Sequence, residues 1–115
     1  MTVTNENCPC QSATARFDVF HSVDVGLDMT HGRHGEVRIK TCKTCGSTWL
    51  HYFVEFEYRS NSGRWYRGSV SPESVENLNP AQAAEVLERL PWFFYGGSYF
   101  QSNGVRGGGC VAVDG

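Results

Sequence analysis

The sequence predicts an α+β domain: a three- to four-stranded antiparallel sheet with a four-cysteine metal site at one end and a C-terminal helix packed on one face. Three observations lead there. Apolar and polar residues alternate over three segments between residues 16 and 58, as half-buried strands require. Two tight cysteine pairs, Cys8-Pro9-Cys10 and Cys42-Lys43-Thr44-Cys45, are separated by 31 residues and each adjoins a strand. A helical apolar period then follows an Asn-Pro start at Asn79 and Pro80. Strands first and a helix after them is the α+β order.

The first strand is expected over 16–25, with Phe17, Val19, His21, Val23 and Val25 on its apolar face and Phe20 the exception. His21 would then be a satisfied core histidine. A loop from Gly26 to Gly35 follows. Val37, Ile39 and Thr41 oppose Glu36, Arg38 and Lys40 in a second strand that runs into the Cys42 turn. Leu50, Tyr52, Val54, Phe56 and Tyr58 give the third strand one apolar face. Ser60-Asn61-Ser62-Gly63 reads as a hairpin turn with Gly63 supplying the positive φ, and Arg64–Val70 returns as a fourth strand. Ser71-Pro72-Glu73 opens a short helical segment reaching about Leu78. Asn79 then caps a helix with Pro80 at its first position and Gln82 at its third. Ala83, Val86, Leu87 and Leu90 line its apolar face, Glu85 and Arg89 pair outside, and Pro91 ends it. One domain spans 1–115, with the sheet in 8–70 and the helix plus an aromatic, glycine-rich tail in 71–115.

Thiolates two or three positions apart can grip one ion from a single turn, and two such grips complete a tetrahedral zinc site. An antiparallel sheet carries both pairs to the same end. Cys8, Cys10, Cys42 and Cys45 are therefore the predicted ligands of one structural zinc per chain. Reduced, unliganded or redox-paired cysteines are the alternative, and a histidine could replace one thiolate. The stretch Cys42-Lys-Thr-Cys45-Gly46-Ser-Thr-Trp49-Leu50 resembles the second knuckle of zinc ribbons, closest to those of transcript-cleavage elongation factors and small RNA polymerase subunits. The resemblance covers roughly residues 8–58 and implies the same four ligands. Transcript cleavage is not implied, because the 26–35 loop has no adjacent Asp-Glu pair and offers Asp28, His31 and His34 instead.

Net charge is −2 and the pI about 6.0, which argues against binding nucleic acid or a membrane with the whole surface. The middle differs from the ends. Between 33 and 67, seven basic residues face three acidic ones, a local balance of +4, which reads either as solvated strand faces or as a local phosphate site. Without a secretion signal or a membrane-length apolar run, the expectation is a cytoplasmic protein with reduced thiols. His31 and His34 read as exposed loop histidines rather than a second metal site. His51 reads as a group near the knuckle, and Cys110 as a small buried residue on a last strand.

Two aromatic clusters remain. Trp92 to Phe100 packs six aromatics into nine residues, too many for all to point inward, and Trp92, Tyr95 and Tyr99 are the candidates for contact anchors. Arg64, Trp65, Tyr66 and Arg67 interleave cations with rings, which suits an acidic protein partner or stacked bases. No carboxylate pair accompanies a nucleophile, and four thiolates leave zinc no open position. The sequence thus predicts a non-enzymatic, zinc-stabilised binding protein acting by protein–protein contact, of an immunity, anti-toxin or regulatory kind. A nucleic-acid-binding zinc ribbon protein is the alternative. A metal-dependent enzyme is the second, and would need an open site using His31, His34 or His51.

Overall fold

Six strands in sequence order, β1-β2-β3-β4-β5-β6, form one antiparallel sheet in the computed structural model, which describes residues 8–113. The strands are β1 (Phe20–Asp28), β2 (Gly35–Cys42), β3 (Thr48–Val54), β4 (Arg64–Val70), β5 (Phe93–Gly97) and β6 (Ser102–Gly107). The single α-helix among the described residues, α1 (Ala83–Glu88), has six residues and precedes β5 and β6. The expected three- to four-stranded sheet with a C-terminal helix on one face is therefore incorrect. Two strands follow the helix, and the segment 71–115 supplies a third of the sheet's strands.

Alternation sorts the side chains into two cores, one on each face. Val37, Leu50, Tyr52, Val54, Tyr66 and Phe93 form the first, closed by Ala83, Ala84 and Leu87 of α1 and by Val111 and Val113 of the extended C-terminal segment. Trp49, Cys42, Phe20 and Phe94 form the second, covered by the N-terminal segment through Cys10, Ala13 and Ala15. Register fixes this arrangement: Phe20 lies opposite Cys42, Lys40 opposite Trp49, His51 opposite Arg67, and Arg67 opposite Phe94.

Several local expectations change. Residues 17–19 form a 3₁₀ turn and β1 begins at Phe20, which is buried, whereas Phe17 is 78% and Val23 54% exposed. The expected apolar face is thus broken up: Val19 and Val25 pack in part against the two cores, while His21 is exposed rather than in a core. Among the described strands β1 pairs with β2 alone, as the edge of the sheet. In the 54–64 turn the positive φ belongs to Asn61 (55°), not Gly63, and the Ser62 hydroxyl closes the loop on the Phe56 amide and carbonyl. Asn79 does cap: its side chain accepts from the Ala81 amide at 3.0 Å, but the first turn is 3₁₀ before α1 begins. Cys110 is exposed and lies in irregular chain beyond β6, not on a strand.

Candidate metal centre

The turn joining β2 to β3 is built to present sulfur. The Cys42 amide donates to the Ser47 carbonyl and the Gly46 amide to the Cys42 carbonyl, both at 2.9 Å. Gly46 sits at φ 77°, a conformation that a side chain would strain. The N-terminal segment supplies the other half: Pro9 starts a 3₁₀ turn over Pro9–Gln11, which places Cys8 and Cys10 at its edge.

All four sulfurs lie within 4.8 Å of one another. Cys8 and Cys42 approach to 3.4 Å, and Cys10 and Cys45 to 3.5 Å. A tetrahedron with metal–sulfur bonds of about 2.3 Å needs sulfurs roughly 3.8 Å apart, so the observed spacings bracket the required one. The donor set among the described residues also fits: four thiols, with no carboxylate and no imidazole. The residues compatible with a zinc ribbon-like site are therefore the four cysteines, and no histidine is needed in place of one.

The surroundings bias the thiols unequally. Burial opposes ionisation of Cys42, but the backbone N–H groups of Cys45 and Thr44 outweigh it and bring the thiol down to about 6. Cys45 is also lowered; there burial is outweighed by the hydroxyl and backbone of Ser47. Burial dominates at Cys10 and pushes it up to about 12. The surroundings thus favour the thiolate at Cys42 and Cys45 and the thiol at Cys10, whose proton a metal would have to displace.

Three residues that the sequence did not mark for this role support the centre. The Ser47 hydroxyl lies 3.1 Å from the Cys45 sulfur and 3.4 Å from that of Cys10, and it accepts from the Trp49 indole N–H at 2.9 Å. Trp49 in turn stacks on Phe94, with centroids 5.9 Å apart. Arg67 ties the two halves together. Its guanidinium donates to the carbonyls of Cys10 and Ser12, both at 2.7 Å, and lies over the Trp49 ring at 4.3 Å. Burial lowers Arg67 to about 10, against the upward pull of Cys10 and Cys42, so it is charged at neutral pH.

The other predicted binding residues are dispersed. Arg64 is 1% exposed, with its Nη1 donating to the Ala112 carbonyl and its guanidinium 3.8 Å from the Tyr99 centroid. Tyr66, on the same strand as Arg64, is buried against the C-terminal segment, its hydroxyl accepting from the Ala112 amide. Trp65 stacks on His51 at 6.1 Å. Trp92 carries Arg106 over its ring at 4.1 Å, Tyr95 packs on Phe100, and Tyr99 is 45% exposed. His51 is not among the groups bonded to the sulfurs. His31 and His34 are exposed and both have positive φ.

A second buried cluster lies at the far end of β1. Asp28, with no exposure, accepts from Arg33 Nε at 2.8 Å, the Tyr52 hydroxyl at 2.6 Å and the Thr30 amide at 3.0 Å. It pins the 29–34 loop, through Thr30 and Arg33, to Tyr52 of β3. Burial would raise this carboxyl, but the donors on Thr30, Tyr52 and Arg33 hold it at about 2.

No family model, curated protein or solved structure matches this chain. The chemistry of the centre is therefore argued from its geometry alone. Among the described residues, no helix is long and apolar enough to cross a membrane.

Proposed function

We propose that the four cysteines bind one structural zinc ion and that the protein is a non-enzymatic binding protein working through protein–protein contact. The observation that carries the reading is the closed tetrad of sulfurs, which joins the N-terminal segment to the β2–β3 turn. Four thiolates fill the coordination sphere of zinc and leave no position for a substrate or an activated water. The metal then serves the fold, by fixing a segment that covers one face of the sheet.

Two features support a protein partner over a nucleic acid. Arg64 and Arg67 are turned inward onto carbonyls and rings, which withdraws two cations of the basic middle from the surface. The edge strand β1 and the turn after it expose Val23, Leu27 and Met29, each half or more accessible, on a strand that pairs on one side only among the described residues.

Metal analysis of the purified chain tests the reading. One zinc per chain is expected, together with a cobalt-substituted form showing thiolate charge-transfer bands. Both should be lost, with loss of cooperative unfolding, when Cys42 and Cys45 are replaced by serine. A metal-free chain that unfolds cooperatively at the same temperature as a zinc-supplemented one would overturn it.

A further inference from the structure

Between the N-terminal segment and the sheet lies an open cavity of about 170 Å³. Its apolar wall is made by Ala13 and Ala15 on one side and by Phe20, Phe53 and Trp65 on the other. A cavity of roughly 150 Å³ is enough for benzene, so this one takes a single six-membered ring with a small substituent.

Its polar lining has one sign. Among the described residues, Lys40, His51 and Arg67 border the cavity, and no carboxylate does. Arg67 already has its two carbonyl acceptors. Lys40 is half-buried and forms no hydrogen bond or ion pair with any described residue; its closest partner is the Phe20 ring, 5.6 Å from Nζ. The charges bearing on it are those of Arg67 and Arg38, both positive. The Glu36 carboxylate on the same face is engaged by Arg38 at 2.9 Å. A partly desolvated ammonium without an anion is unusual, because burying charge is costly unless it is paired. Beside it, Nδ1 of His51 is also buried with no hydrogen-bond partner among the described residues. An apolar slot of ring size is thus lined by a cation that has no counter-ion among the described residues.

We propose that this cavity binds a small flat organic anion of the aromatic carboxylate class, its ring against Phe53 and Trp65 and its carboxylate on the Lys40 ammonium. The site goes beyond the structural-zinc reading but depends on the same clasp, since Ala13 and Ala15 are held in place next to Cys10. Lys40 is the residue that distinguishes an anion from any other ring-sized ligand. Phe53 supplies the accessible ring face, because Trp65 is already stacked on His51.

The experiment is a titration of the zinc-loaded full chain with benzoate, followed by amide and indole N–H shifts in nuclear magnetic resonance, with benzamide and acetate as comparators. Benzoate should give saturable shifts at the Trp65 indole and at Phe53. Benzamide and acetate, each lacking one half of the recognition, should bind at least about tenfold more weakly, as should benzoate to Lys40→Met. Absence of saturation, equal binding of benzamide, or undiminished binding by a folded Lys40→Met chain would each overturn the proposal. The benzamide comparison needs no variant, so the test survives if Lys40→Met fails to fold. A single-stranded oligonucleotide that displaces benzoate and binds more tightly would also overturn it, in favour of a nucleic-acid site. Zinc content measured on the same samples separates the two readings: zinc-bound protein that ignores benzoate refutes the cavity alone, and folded zinc-free protein that binds benzoate refutes the clasp alone.

Discussion

Replacing Arg67 by Met should loosen the metal centre without touching a ligand. The guanidinium makes two hydrogen bonds of 2.7 Å to the Cys10 and Ser12 carbonyls and lies within 5 Å of the Trp49, Phe20 and Phe94 rings. Hydrogen bonds from a charged donor are worth about 1.5–3 kcal/mol each, which sets a ceiling of about 6 kcal/mol for the pair. Met keeps most of the apolar stem and removes a desolvated charge, and the relief of that desolvation offsets part of the loss. The Ser12 carbonyl is only partly buried and can turn to water, whereas that of Cys10 cannot. A net cost of about 3 kcal/mol follows, close to the value of one such bond plus one orphaned acceptor.

That cost falls on the contact between the N-terminal segment and the sheet, so it should be read in metal affinity as well as in stability. Every 1.4 kcal/mol is tenfold, and about 3 kcal/mol predicts a loss in zinc affinity of about a hundredfold or slightly more in competition against a chromophoric chelator. The melting temperature of the zinc form should fall by about 10 °C, taking about 3–4 °C per kcal/mol for a chain of this size. Arg67→Lys, which keeps the charge but not the planar fork, should lie between the two. An Arg67→Met chain with unchanged zinc competition and a melting point within about 2 °C of the parent would refute the idea that this side chain couples the two halves.

Two further perturbations probe the rest of the fold. The Asp28 carboxyl is held at about 2 against an ordinary value near 3.8, so its contribution is present above pH 4 and is lost as pH falls through about 2. Acid titration of the parent against Asp28→Asn should show the difference in stability, about 2 kcal/mol at neutral pH, vanish toward pH 2. Gly97 has φ 118°, and a Cβ there would lie 2.5 Å from the Gly63 carbonyl oxygen and 2.9 Å from the Arg64 Cα. Gly97→Ala should cost at least about 3 kcal/mol in denaturant unfolding, since both backbone strain and a backbone clash oppose it.

The parts of this molecule readable from sequence are those whose chemistry is local. Cys42-x-x-Cys45-Gly46 marks itself, because the glycine conformation and sulfur spacing belong to one turn. β2 and β3 were legible because Val37, Leu50, Tyr52 and Val54 fall at every second position with polar residues between most of them, and β4 because a turn precedes it. β5 was not, because Phe93 and Phe94 are both buried, one in each core, and alternation disappears when both faces are covered. β6 offers only Val105 as a large apolar residue, and it is 40% exposed. Nor could sequence pair Asp28 with Tyr52, 24 positions away, or show that Arg67 turns inward: an arginine beside a tryptophan looks the same in either role.

The two-faced core also explains what a metal would add here. The first face is closed by a helix and an extended segment that contribute Ala83, Ala84, Leu87, Val111 and Val113, enough apolar surface to hold themselves in place. The second is closed by residues 8–15, whose contribution is Cys10 fully buried and Cys8, Ala13 and Ala15 in part. Burying so little apolar surface cannot offset the entropy of ordering eight residues at about 1–2 kcal/mol each. The shortfall lies in the range that a tetrathiolate zinc site supplies, about 10–16 kcal/mol at neutral pH. On this argument an ion shared by the four sulfurs would hold the segment over Trp49 and the Lys40 cavity, with Arg67 as the secondary tie.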